Sequence, residues 1–101
     1  MAYSSHIITW QAIELEIRYN PSYCTMLEGD QAMAHIEVLS LKPERHPLPI
    51  TETGYKSHFI HRITVDSYGD AIAFVMAWLN HEAKSSIWQA YQENSRQGEL
   101  F

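Results

Sequence analysis

The sequence predicts an α+β domain in which an antiparallel sheet of about four strands, begun by an N-terminal hairpin, is packed by two C-terminal helices. Three observations predict it. Ile13, Leu15, Ile17 and Tyr19 alternate with Glu14, Glu16 and Arg18, the period-two pattern of a strand with one buried and one wet face. The run Ala71 to Leu79 is apolar at nine consecutive positions, which suits a helix lying on a sheet. Between them, three prolines within residues 42–49 exclude helix and central strand and call for a stiff, extended connection. A chain of 101 residues has room for one hydrophobic core, so residues 1–97 are expected to form one domain and 98–101 a short tail.

The elements follow in order. His6 to Trp10 reads as a first strand, and a two-residue turn at Gln11-Ala12 sets Trp10 opposite Ile13 and Ile8 opposite Leu15. Gln-Ala is a poor turn pair, since neither residue favours a positive φ. Asn20-Pro21-Ser22 breaks the alternation, and the stretch to Gln31 reads as a long loop. Met33 to Leu41 is a third strand, with Ala34, Ile36 and Val38 on one face and Met33, His35, Glu37, Leu39 and Leu41 on the other. After Gly54, the spacing of Tyr55, Phe59, Ile63 and Val65 predicts a fourth strand. Asp66 or Ser67 is positioned to cap the first helix, with Ser67 and Asp70 in a capping-box spacing. Lys84-Ser85-Ser86 interrupts the helical run, and Ser86 with Gln89 caps a second helix marked by Ile87, Ala90, Tyr91 and Asn94.

Composition narrows the function. Seven Lys and Arg against twelve Asp and Glu give a net charge of −5, which opposes broad phosphate-driven binding to nucleic acid. The charge is uneven, because Lys42, Arg45, Lys56 and Arg62 outnumber Glu44 and Glu52 in the middle of the chain, alongside His46, His58 and His61. No apolar run approaches the roughly 20 residues of a membrane span, and Met1 to His6 lacks the layout of a signal peptide, so a cytoplasmic location is expected. Cys24 is the single cysteine, which rules out an internal disulfide and fits a reducing compartment.

No residue set assembles an enzyme. Six histidines invite a metal, yet His58 and His61 point to opposite faces of a strand, and His35 with Glu37 supplies two ligands without a third. No metal and no cofactor is therefore expected. Ser57 and His58 diverge as strand neighbours, and the scattered glycines form neither a nucleophile elbow nor a phosphate loop. Residues 47–59 are the most informative stretch: prolines stiffen it, Gly54 can take a positive φ, and Thr51, Glu52, Thr53, Tyr55, Lys56 and His58 crowd polar groups into eight positions. Such a loop either presents a protein-binding surface or spends its polar groups on its own backbone.

The run Pro47-Leu-Pro-Ile-Thr-Glu-Thr-Gly-Tyr-Lys-Ser-His-Phe59, with Trp10-Gln-Ala-Ile13 and Ala34-His-Ile-Glu37, resembles a group of short bacterial proteins carried on plasmids, integrated elements and phage-related islands. The resemblance implies an accessory role in a mobile element and assigns no catalytic residue. Separately, Gln97-Gly98-Glu99-Leu100-Phe101 is similar to the short tails that dock into the bacterial DNA polymerase sliding clamp, with Gln97, Leu100 and Phe101 as the contacts and Gly98 where a leucine is usual. Three readings stand. The chain is a non-enzymatic interaction protein using the segment around Lys56 and His58; or it is a clamp-binding protein; or it is a small hydrolase or metal-dependent enzyme using His35, Glu37, His58 or His61. Ile7, Leu39 and Leu41 on the second sheet face also raise the expectation of a homodimer.

Overall fold

The alternation at the N-terminus folds into a hairpin of β1 (Ser4–Trp10) and β2 (Ile13–Cys24), followed by β3 (Met33–Lys42) and β4 (Tyr55–His61). The computed structural model describes residues 3–24 and 32–98, apart from the side chains of Cys24 and residues 95–98. All neighbours are antiparallel and the order is β1-β2-β3-β4, so β1 and β4 are the edges. Trp10 pairs with Ile13 and Ile8 with Leu15. The turn is as tight as expected, although Gln11 and Ala12 both hold positive φ, at 49° and 67°. That strain is held by tertiary contacts on either side. The Trp10 indole N–H donates to Asn80 Oδ1 at 2.9 Å, and Gln92 donates to the Gln11 side-chain carbonyl at 3.0 Å.

Two expectations about strand limits are corrected. The strand does not stop at Asn20-Pro21 but runs on to Cys24, with the ladder interrupted between Asn20 and Cys24. A bulge tolerates proline because no ladder N–H is required there. Conversely, β4 stops at His61, and residues expected to prolong it form a single helical turn, α1 (Arg62–Asp66). The alternation misled because Val65 is buried from that turn while Tyr55 and Phe59 lie exposed.

The helices α2 (Ala71–Glu82) and α3 (Ser86–Gly98) complete the fold. Trp10, Leu15, Ile17, Ile36 and Val38 from the sheet meet Val65, Phe74, Val75, Leu79 and Trp88 from the helices in one core. Each fully buried Leu or Ile there contributes roughly 1.5–3 kcal/mol. The caps differ from expectation by a few residues. Asp70 caps α2, its Oδ1 accepting from the Ala73 N–H at 2.8 Å, while Ser67 terminates α1 and donates to the Thr64 carbonyl. Ser85 rather than Ser86 caps α3, accepting from the Trp88 N–H at 3.2 Å. The packing face of α3 is accordingly led by Trp88 and Tyr91, and Ile87 points outward, because burying an indole removes more apolar surface than burying Ile87.

Residues 43–54 make the crossover, but it is turned and not extended as the prolines of residues 42–49 lead one to expect: turns at 43–45 and 49–50 and a Leu48–Thr51 bridge fold it back, since the fixed φ of proline suits a turn as well as an extended chain. Ser40 anchors both ends, its N–H donating to the Gly54 carbonyl at 2.8 Å and its hydroxyl to the His46 carbonyl at 2.6 Å. Gly54 sits at φ 79°, and a Cβ added there would lie 2.5 Å from the Arg45 carbonyl carbon. Gly54→Ala is therefore expected to cost at least ~1–3 kcal/mol, from the left-handed φ and the backbone collision together. Denaturant unfolding checks it, as a lowered midpoint at constant slope.

On the helix-facing side of β4, the His58 ring packs 4.6 Å from the Trp78 ring. Burial lowers the His58 pKa below its ordinary 6.5, with the Lys56 charge adding to the effect. The folded chain thus favours the neutral imidazole. The stability this brings is present above the ordinary value and falls as pH drops through it towards the folded-state pKa. Thermal unfolding from pH 7.5 to 5 should show that decline, and His58→Asn should flatten it.

Candidate functional site

The core occupies one face of the sheet only. By strand alternation the opposite face carries Ile7 from β1, Glu14, Glu16 and Arg18 from β2, His35, Glu37 and Leu39 from β3, and Tyr55, Ser57 and Phe59 from β4. Large side chains lie exposed on it: Ile7 is 60% accessible, Tyr23 51% and Phe59 50%, with Tyr3 and Tyr55 also open. His35, by contrast, is only 7% exposed, because aromatic rings surround it on this otherwise wet face.

His35 is the hub. Its ring stacks on Phe59 at 4.4 Å and 23°, and the Tyr23 and Tyr3 rings approach it at 5.2 and 5.8 Å. The β2 bulge is what brings Tyr23 here, since it changes the facing of the strand end beyond Pro21. Both ring nitrogens are used: Nδ1 bonds the Tyr3 hydroxyl and Nε2 the Ser57 hydroxyl, each at 2.6 Å. In the neutral imidazole one nitrogen donates and the other accepts, so the two hydroxyls take opposite roles. A second polar row flanks this hub. Arg18 bonds Glu37 at 3.0 Å, the Tyr55 hydroxyl donates to the other Glu37 oxygen at 2.8 Å, and the Arg18 guanidinium lies 5.0 Å above the Tyr3 ring.

Ser57, His35 and Tyr3 form a hydroxyl–imidazole–hydroxyl chain, which superficially matches a nucleophile with its base. Tyr3 stands where a carboxylate would be needed. Its pKa is raised, by desolvation first and then by the Glu37 charge, so Tyr3 offers the imidazole a neutral hydroxyl and not the negative charge of a carboxylate. Neither described cavity includes His35 or Ser57. Among the described residues, no group of three or more His, Cys, Asp or Glu is placed to hold a metal ion.

The residues singled out in the sequence are dispersed. The Thr51 hydroxyl donates to the Tyr55 carbonyl at 2.9 Å and accepts from the Thr53 N–H, and the Thr53 hydroxyl also reaches the Tyr55 carbonyl. These threonines serve the local turn. Tyr55 faces the open side with Glu37, whereas Lys56 and His58 point to the helix side of β4 and Glu52 is exposed on the crossover. Of the histidine-enzyme candidates, His35 and Glu37 lie on the open face, His58 on the helix side and His61 at the exposed end of β4. The side chain of Gln97, with Leu100 and Phe101, lies outside the described residues, as does the stretch 25–31. Missed in the sequence were Tyr3, Tyr23 and Ser57 as partners of His35. Ser57 was legible from strand pairing, being the neighbour of Glu37 across β3 and β4, but Tyr23 needed the bulge.

No described helix is long and apolar enough to cross a membrane. No curated protein and no solved structure matches the chain. The profile of the KlcB third domain, from a plasmid-encoded protein family, matches residues 3–88, which take in the whole sheet, α1, α2 and the start of α3. The chain therefore belongs to the KlcB third-domain family.

Proposed function

We propose that the chain is a non-enzymatic interaction module of a plasmid accessory protein, and that a protein partner seats on the open sheet face. The supporting observation is the one-sided packing of the sheet, which leaves Tyr3, Ile7, Tyr23, Tyr55 and Phe59 exposed around an ordered His35. Aromatic side chains held in place by ring contacts and hydrogen bonds offer large contact area at little further ordering cost. Charge favours a basic partner. Arg18 pairs with Glu37, and of the other charged side chains on that face Lys42 lies opposite Glu14 while Glu16 adds negative potential that repels phosphate. A hydrolase built on His35 has less support, because Tyr3 gives the imidazole a neutral hydroxyl where a catalytic triad has a carboxylate.

Photocrosslinking in bacterial cells carrying the parent plasmid tests the surface. A benzoylphenylalanine at Ile7 or Tyr23 should capture one discrete protein, and the same group at the exposed Tyr68, on the helix side, should not. Adding Phe59→Glu should reduce that capture about tenfold, the scale of losing a central aromatic contact. Equal capture from Tyr68, or capture indifferent to Phe59→Glu in a protein of unchanged circular dichroism, would refute the surface.

A further inference from the structure

A second surface, away from the open sheet face, has its own chemistry. The crossover and α3 enclose a groove of about 680 Å³. Pro47, Pro49 and Ile50 form one wall, Ile87 and Tyr91 the other, and Glu52 and Glu82 stand among the lining residues. Tyr91 stacks on Trp88 at 5.2 Å and 28°, which makes a flat aromatic shelf along the helix wall. Ile87, 81% exposed, stands beside it and extends the apolar wall.

Three features of the groove are unspent. Trp88 is 95% buried and its indole N–H has no acceptor among the described residues, a cost that a buried donor normally avoids. The side-chain carboxylates of Glu52 and Glu82 have neither a cation nor a hydrogen-bond donor among the described residues. Apart from Thr51 and Ser85, the rest of the lining is largely apolar. An occupant that answers all three brings a carbonyl acceptor, a cation and rings or branched carbons in one extended segment.

We propose that this groove binds an arginine-bearing, proline-rich peptide segment of a partner protein. A polyproline helix has no internal hydrogen bonds, so its carbonyls are free to accept from an indole N–H. Its proline rings lie flat on aromatic shelves, and its stiffness lowers the ordering cost of a shallow site. The arginine pairs with Glu52 and Glu82 at the exposed side, where an acidic peptide or a nucleic acid is repelled. The Trp88 Nε1 atom is covered in the free protein, so a small side-chain shift at the groove floor accompanies binding. This site is separate from the sheet face and does not depend on it.

The test uses an array of fluorescein-labelled proline-rich decapeptides, each with arginine and with glutamate at the same position, titrated into the full chain and read by anisotropy. Arginine peptides should bind, the glutamate versions should not, and affinity should fall with salt. Glu52→Gln with Glu82→Gln should weaken binding about tenfold, as expected for two exposed ion pairs. Trp88→Phe, which keeps an aromatic side chain but removes the donor, should weaken it roughly two- to tenfold with circular dichroism unchanged. Phe59→Glu on the sheet face should leave the affinity as it is. Binding by no member of the array, equal binding of arginine and glutamate versions, or affinity indifferent to the double glutamine variant would each overturn the proposal.

Discussion

Pairing of β2 with its two neighbours in one register determines which face of every strand meets the helices. Leu15 and Ile17 are fully buried, and Glu14, Glu16 and Arg18 between them face outward. A slip of one residue would exchange these sets and bury three charges without partners, a cost of many kcal/mol against a net stability of roughly 5–15 kcal/mol. The strained Gln11-Ala12 turn is tolerated for the same reason. Its local penalty is of order 1–3 kcal/mol per unfavourable residue, less than the apolar burial that the register secures.

Once the register is set, the two faces acquire different physics. The helix-covered face is hydrophobic and closed, with Trp10, Phe74 and Trp88 filling its bulk. The other is ordered by directional bonds, from Tyr3 through His35 to Ser57 and from Arg18 through Glu37 to Tyr55. Such networks contribute little net stability because water competes for every group, but they hold aromatic rings in defined positions. The crossover behaves similarly: its threonines satisfy their own turn, and its prolines and Ile50 present an apolar wall to α3.

Much of the architecture was legible from residue pattern. The hairpin pairing of Trp10 with Ile13, the β3 face of Ala34, Ile36 and Val38, and the helix over Ala71 to Leu79 all follow from periodicity, because a buried face imposes it. The elements that departed are those where a local signal competed with packing. Pro21 signalled an end but sits in a bulge; Val65 continued an alternation but is buried from a helical turn. Of the site, His35 and Glu37 were recognisable as sharing a face, and Tyr55 as part of an informative segment.

By itself the sequence determined the α+β class and the hairpin register, since these depend on spacing along the chain. Only the tertiary structure decided that Tyr3, Tyr23, Ser57 and Phe59 gather around His35, and that Lys56 and His58 turn towards the helices. It also decided that Glu52 and Glu82, thirty residues apart, line one groove with Trp88 and Tyr91. The physical reason is common to all three. Alternation says that neighbours in a strand face opposite ways, but which residues from distant segments meet depends on bulges, caps and crossover geometry, and these respond to packing as a whole.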